Sequence, residues 1–154
     1  MSGKSGALLN YTTSIDAAKT AMEIIHILVK HGVDRIQVLP DSNGRISQIE
    51  FGIGVGRGMD FRLPVNVKVV YEVLGEQAKK RLIPQHYAVL DQAERVAWRI
   101  IKAWIDAQIA LIETKMVKME EVFLPYLLVS RDQTLFEKMR VSKFLLPEPK
   151  ASEP

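Results

Sequence analysis

The feature that most constrains the fold is a long segment, from about His86 to Met116, that contains neither proline nor glycine. Strong helix formers such as alanine, leucine, glutamate, glutamine, lysine and arginine dominate it, which predicts one helix across the whole segment. About 31 residues at roughly 1.5 Å each make a helix roughly 46 Å long. A compact domain of this size is only about 40 Å across. We therefore expect the helix to bend or to protrude from the domain.

The apolar residues of this long helix cover more than one stripe of its surface. They are Val89, Ala93, Val96, Ala97, Ile100, Ile101, Trp104, Ile105, Ile109 and Ile112. Such a distribution is typical of a helix that is buried on several sides. Self-association would cover these side chains, so we expect a homo-oligomer assembled through the long helix.

In the rest of the chain, the spacing of the apolar residues changes from that of a helix to that of a strand and back again. Apolar residues at helical spacing predict an N-terminal helix from about Ser14 to His31, with Thr13 and Asp16 spaced as a capping pair and Gly32 as its stop. Three extended runs follow, at 33–39, 45–55 and 59–63. The turn at 41–44 ends in asparagine and glycine, the strongest short hairpin signal, and it joins the first two runs. These runs predict an antiparallel meander.

Beyond the meander the chain is expected to be mostly helical. A second helix is predicted to start at the N-cap Asn66 and to end before Pro84, and short helical turns are predicted around 120–128 and 134–140. The fold class is therefore α+β, with an N-terminal helix, a three-stranded antiparallel meander and a helical half dominated by the long helix at about 86–116. We expect a flexible N-terminus at 1–12, a single α+β domain at 13–140 and a proline-rich tail at 141–154.

The amino-acid composition excludes several classes of protein. The 154 residues include no cysteine, which excludes a disulfide framework, a thiolate metal site and a cysteine nucleophile. The formal net charge of +3 is far from typical of an obligate nucleic-acid binder. The apolar run at the start is too short for a signal peptide, and the most apolar window, near 103–112, is interrupted by Asp106. We expect a cytoplasmic protein without a membrane span.

The most unusual stretch places Gly52, Gly54, Gly56 and Gly58 at every second position. A phosphate-binding glycine loop runs from a strand into a helix, but this one runs into another strand, so Rossmann and P-loop assignments fail. A flexible hairpin tip explains the glycines. Alternatively, they leave one strand face without side chains so that a ligand, a nucleic-acid backbone or a second chain can approach closely. Arg57 and Arg62 would then bind the anion.

A second candidate site is the polar face of the long helix. Arg95, Arg99 and Lys102 follow one another at three- or four-residue steps, and Trp98 lies beside them. Interleaved arginines and an indole can neutralise phosphates and stack on bases. A solvated helix face with Trp98 packed in the core explains the same residues.

Few features of the sequence indicate that the protein is an enzyme. The three histidines, His26, His31 and His86, have no spacing that makes a metal pair. No nucleophile elbow, kinase motif set or zincin helix occurs. We therefore expect a protein that is not an enzyme and that holds neither a metal nor a cofactor.

Three segments together resemble a widespread family of small, mostly uncharacterised bacteriophage proteins. They are FRLP at 61–64, QAERVAWRIIKAW at 92–104 and VFLPYL at 122–127. The resemblance covers roughly residues 11 to 140, nearly the whole folded part, and it brings no active site that could be transferred residue by residue. It implies expression in the cytoplasm of an infected bacterium, among small proteins that handle phage nucleic acid or neutralise host defences.

Two function classes follow from the residues and the resemblance. The first is a non-enzymatic binder of a phosphate-bearing ligand, such as a nucleotide signal sequestered from a host defence system. The alternatives are a nucleic-acid-binding accessory of phage replication or recombination, or an inhibitor of a host protein. The modest net charge favours the first class, because several contacts to a nucleic-acid backbone usually need a more concentrated basic patch.

Overall fold

The computed structural model describes residues 6–54 and 58–144 and has the α+β class predicted from the sequence. Five helices and five strands occur in these ranges, together with two 3-10 turns at Gln85–Tyr87 and Leu124–Tyr126. The helices are α1 (Ala17–Lys30), α2 (Val67–Lys79), α3 (Leu90–Glu113), α4 (Met119–Phe123) and α5 (Leu135–Val141). The strands are β1 (Arg35–Pro40), β2 (Ile46–Ile53), β3 (Met59–Arg62), β4 (Leu128–Ser130) and β5 (Gln133–Thr134).

Local signals set the ends of the first two helices. The Asn66 side chain accepts a hydrogen bond from the backbone N–H of Val69 and caps α2, as predicted. Gly32 has a φ of 93° and ends α1, also as predicted. The expected capping pair of Thr13 and Asp16 does not form at the start of α1. Asp16 is the N-cap residue, and its side chain makes no capping hydrogen bond.

The long helix is shorter than predicted. It spans Leu90–Glu113, 24 residues, because residues 85–87 form a 3-10 turn and Lys115, with a φ of 61°, ends the helix in the left-handed conformation. Twenty-four residues extend about 36 Å, which fits within a domain about 40 Å wide. The predicted need for α3 to bend or protrude is therefore wrong.

The apolar surface of α3 is covered largely within the chain. Most of its inward side chains are buried against α1, α2 and the sheet, namely Ala93, Val96, Ala97, Trp98, Ile101, Ile105 and Ile109. Burial of a large aliphatic side chain stabilises a fold by about 1.5–3 kcal/mol. The argument for self-association through this helix loses its basis, and the homo-oligomer stays a prediction.

The three-stranded sheet has the order β1-β2-β3 and is antiparallel throughout. Its inner face carries Ile49, Phe51 and Phe61, which are buried against α1, α3 and α4. The ring of Phe51 stacks on Phe61 at 5.3 Å and meets Phe123 of α4 edge to face at 5.2 Å. The helices therefore cover one face of the sheet, and the opposite face is left polar.

A smaller hydrophobic cluster joins α2 to α3. Its buried members are Leu74, Ala78, Ile83, Ala93 and Val96, and Leu8 and Tyr11 pack against them. The part of the expected flexible N-terminus that the structure describes, residues 6–12, is thus in contact with both helices. Gln77 accepts a hydrogen bond from the N–H of Leu8, and Gln92 donates to the carbonyl of Tyr11. Residues 1–5 lie outside the described residues.

The last described segment forms a small module beside β3. Leu127 bridges Phe61 in antiparallel fashion, and β4 pairs with β5 through a tight turn at 131–132. The side chain of Thr134 caps α5 and, with Glu137, completes a capping box. Of the expected tail at 141–154, only 141–144 falls within the described residues. No helix in the described ranges is long and apolar enough to cross a membrane.

Candidate functional site

The outer face of the sheet carries two rows of polar side chains. In an antiparallel sheet, residues directly opposite one another point to the same face. The register places Arg35 opposite Gly52 and Gly52 opposite Asp60, so these three residues form the first row. Gln37, Glu50 and Arg62 form the second row, which lies next to the first. We call this surface the polar sheet face.

Gly52 leaves room for an ion pair that spans three strands. The guanidinium of Arg35 reaches over Gly52, and its Nη2 lies 3.2 Å from Oδ1 of Asp60. A Cβ atom on Gly52 would overlap both the guanidinium and the carboxylate. The Nη1 of Arg35 also donates to the carbonyl of Gly54 at 2.6 Å. The group that lies close to Gly52 is therefore a side chain of the same protein, and the expected approach of a ligand, a nucleic-acid backbone or a second chain stays a prediction.

The second row ties the sheet to the turn between β4 and β5. Arg62 donates from Nε and Nη2 to Oε1 of Glu50, at 3.1 and 2.9 Å. The same Nη2 contacts the carbonyl oxygen of Arg131 at 3.3 Å. Only 22% of the Arg62 side chain is exposed. Its charge is thus compensated within the protein, and Arg62 holds the turn in place rather than projecting into solvent.

A cleft of about 560 Å³ lies between the polar sheet face and strand β4. Arg35, Gln37 and Glu50 line the sheet side, and Ser130 and Arg131 line the opposite side. Arg131 is exposed and forms no salt bridge within the described ranges. The cleft therefore offers two guanidinium groups, a hydroxyl and an amide that can bind oxygen atoms of a ligand.

The predicted site on the long helix is instead an intramolecular network. Arg95 donates to the side-chain oxygen of Gln92 at 2.8 and 3.0 Å, and Gln92 in turn donates to the carbonyls of Tyr11 and Thr13. Because these bonds satisfy the buried Gln92, Arg95 anchors the N-terminal segment to α3.

The next two cations of that stripe are also paired. Arg99 lies 2.8 Å from Glu23 of α1, and Lys102 lies 2.8 Å from Asp106. The hydrogen bond from Arg99 lowers the pKa of Glu23, which keeps this carboxylate ionised. A phosphate group would have to displace these carboxylates before it could bind.

The prediction that Trp98 contacts a ligand is wrong. Its side chain is fully buried in the main core. An indole in that position offers no face to a base or to another ligand, because its surface is already in contact with apolar side chains. Trp98 belongs to the core cluster that contains Phe51 and Phe61 of the sheet, whereas the adjacent Arg99 pairs with Glu23 of α1.

The predicted site residues therefore do not form one site. Gly52, Gly54, Gly58 and Arg62 are near the cleft, whereas the stripe on α3 contacts α1. Two further predicted residues, Gly56 and Arg57, lie outside the described residues.

Sequence reasoning missed Arg35, Ser130 and Arg131. One of them could have been found, because an ideal two-residue turn at Asn43-Gly44 puts Arg35 opposite Gly52, and the structure has this pair although its turn is longer and the register shifts between Leu39 and Pro40. No local pattern indicates that the turn after β4 lies beside the sheet. The described ranges contain no group of three histidine, aspartate or glutamate side chains that could hold a metal ion.

Comparisons with known proteins found no related site with which this one could be compared. No family model, curated protein or solved structure gave a significant match. Function must therefore be argued from the geometry of the cleft.

Proposed function

We propose that this protein binds a small phosphate-bearing ligand in the cleft between the polar sheet face and β4, without catalysing a reaction. The arrangement that carries the proposal is a pair of arginines, Arg35 and Arg131, on the two sides of one cleft. Guanidinium groups match the geometry of phosphate oxygens and bind them by charge-assisted hydrogen bonds. The hydroxyl of Ser130 and the amide of Gln37 supply neutral donors to the same space.

The ion pair of Arg35 fits such a role. Its side chain is 44% exposed and that of Asp60 is 55% exposed, so water already screens their attraction. A terminal phosphate carries about −1.5 to −2 charges and can compete with one screened carboxylate. By contrast, Arg62 is largely buried between Glu50 and the turn, so it positions Arg131 instead of binding the ligand.

The size of the cleft supports a small ligand. Sites for drug-sized molecules and cofactors usually have volumes of about 300–1,000 Å³, and the 560 Å³ cleft falls within that range. A mononucleotide or a cyclic dinucleotide is the class of ligand that we propose. The resemblance to bacteriophage proteins suggests the setting, in which the protein sequesters a nucleotide signal of a host defence system in the cytoplasm of the infected cell.

A nucleic-acid polymer is less well supported. Binding a polymer requires several unpaired cations along one surface, whereas the cations on α3 pair with Gln92, Glu23 and Asp106. Inhibition of a host protein has no specific feature to support it.

The decisive experiment is a thermal-shift and calorimetric screen of the full chain against linear and cyclic nucleotides. We expect at least one to bind, and Arg131→Ala and Arg35→Ala each to weaken binding roughly ten- to hundred-fold, the effect of losing one charge-assisted hydrogen bond. Arg140→Ala is the matched control, because this exposed arginine does not line the cleft. If no nucleotide binds, or if the control weakens binding as much as Arg131→Ala, the proposal fails. Binding to DNA that weakens steeply with salt would support the polymer instead.

A further inference from the structure

Glu50 lines the cleft with one carboxylate oxygen that has no partner. Both hydrogen bonds from Arg62 end on Oε1 of Glu50, and the side chain of Glu50 is only 16% exposed. The other oxygen, Oε2, accepts no hydrogen bond in the described part of the chain, where Nε1 of Trp98 is the one buried side-chain polar atom without a partner. Oε2 is therefore not buried, and it is open to solvent at the wall of the cleft.

The ion pair with Arg62 fixes Glu50 and leaves it able to accept a hydrogen bond. Because Arg62 compensates the negative charge, the pair repels a nearby phosphate less than a free carboxylate would. A carboxylate oxygen only accepts hydrogen bonds, so the ligand group that meets Oε2 must be an N–H or O–H donor. Gln37 lies directly opposite Glu50, and its amide can both donate and accept. The second row thus offers two neighbouring partners to a pair of hydroxyl groups.

The spacing of the two rows fits the length of a ribose phosphate. Gly52 and Glu50 lie on the same face of β2, two residues apart, which is about 7 Å along a strand. The guanidinium of Arg35 lies over Gly52, and it is there that the phosphate is proposed to bind. In a nucleoside 5′-phosphate the ribose hydroxyl oxygens lie roughly 5–7 Å from the phosphorus, a path of about five to six covalent bonds. A phosphate at Arg35 therefore brings the ribose hydroxyls to Glu50.

We propose that Glu50 accepts a hydrogen bond from the ribose 2′-hydroxyl of the nucleotide and that Gln37 binds the 3′-hydroxyl, which rests on the proposed function and names its class of ligand. The cleft then selects ribonucleotides over 2′-deoxyribonucleotides. An acidic side chain accepts from the ribose 2′-hydroxyl in the same way in dinucleotide-binding folds. The N–H groups of the base lie farther from the phosphate than the ribose does, so they extend beyond the second row.

Calorimetric titration of the full chain tests this selectivity. The probes are the 5′-monophosphates of adenosine, guanosine, cytidine and uridine, each with its 2′-deoxy counterpart. We expect the tightest ribonucleotide to bind about tenfold more tightly than its 2′-deoxy counterpart, the effect of one charge-assisted hydrogen bond. Equal affinities would overturn this selectivity and leave the proposed function intact. If no nucleotide in the set binds, the selectivity fails too, whereas the proposed function still depends on the cyclic nucleotides in its own screen.

Two variants assign the preference to Glu50. Glu50→Gln replaces the charge-assisted bond by a neutral one about half as strong, so the preference should fall to about threefold. A merely structural effect, such as a displaced β4–β5 turn, would weaken both nucleotides alike and leave their ratio unchanged. Glu94→Gln is the matched control, because Glu94 is 18% exposed, pairs with Arg45 and does not line the cleft. It should keep the tenfold preference. A preference that Glu50→Gln leaves unchanged, or that Glu94→Gln lowers as much, would overturn the role of Glu50.

Discussion

Protonation of His31 should stabilise the folded protein, because its ring joins the ends of two helices. It follows the last residue of α1, where Nδ1 lies 2.7 Å from the carbonyl oxygen of Ile27. Its Nε2 lies 2.8 Å from a carboxylate oxygen of Glu113, the last residue of α3. A neutral imidazole has one N–H group, whereas the imidazolium has two. Only the charged form of His31 can therefore make the two hydrogen bonds at the same time.

The sign of the pH dependence follows from this geometry. The hydrogen bond to the carbonyl of Ile27 is the largest cause that raises the pKa of His31, and the hydrogen bond to Glu113 is the next. Partial burial and the charge of Lys30 oppose the rise. A raised pKa in the folded state means that the stabilisation is fully present below the unfolded value of about 6.5. It is lost as the pH rises through the pKa of the folded state.

The expected magnitude is about 1 kcal/mol. A histidinium at a helix C-terminus stabilises a protein by about 0.3–2 kcal/mol, depending on burial. His31 is 20% exposed, which favours the upper half of that range, but Glu113 is 60% exposed and its contribution is screened by water. For a chain of this length, about 1 kcal/mol corresponds to a change in Tm of about 2–4 °C.

The assay is urea unfolding followed by tryptophan fluorescence between pH 5.5 and 8.5, for the wild type and for His31→Gln and Glu113→Gln. Taking the difference between wild type and variant at each pH cancels the titration of the groups that they share, including His26 and His86. We expect the advantage of the wild type over His31→Gln to be about 1 kcal/mol larger at pH 5.5 than at pH 8.5. Glu113→Gln should reduce the pH dependence without abolishing it, because the imidazolium still donates to the carbonyl of Ile27 and still lies at the C-terminal end of α1. A difference that is flat, or that grows with pH, would refute the reasoning.

Four further substitutions test three separate parts of the structure by thermal or urea unfolding. Gly75→Ala should stabilise the protein by about 0.5–1 kcal/mol, because Gly75 lies inside α2 with open space where a Cβ would be; destabilisation would contradict this. Thr134→Ala should cost about 1 kcal/mol, since it removes the cap of α5; an unchanged stability would show that α5 does not depend on its cap. Gly58→Ala should cost at least 1 kcal/mol more than Gly52→Ala, because a Cβ at 58 meets backbone carbonyl oxygens, whereas one at 52 meets the ends of the Arg35 and Asp60 side chains. Equal costs would contradict that difference.

Much of the fold was predictable because its signals are local. The spacing of apolar residues in α1, the cap at Asn66, the stop at Gly32 and the turn at Asn43-Gly44 each depend on residues within a few positions of one another. In β2, Gly52 and Phe51 lie on opposite faces of the sheet, and Phe51 is on the inner one, as the alternation of neighbouring residues in a strand requires. Where the local signal is weak, prediction failed: α3 ends at Glu113 because Lys115 adopts a conformation that its side chain does not favour.

The candidate site, unlike the helices and strands, depends on residues that are far apart in the sequence. The sequence alone determined the α+β class and the run of residues that forms α3, since helix and strand periods arise from neighbouring residues. Only the tertiary structure decided that Arg99 pairs with Glu23, that Trp98 is buried, and that Arg131 lies across a cleft from Arg35. Whether an arginine is available to a ligand depends on which carboxylate folding brings beside it. That partner can be more than seventy positions away, as Glu23 is from Arg99, and no short-range pattern encodes it.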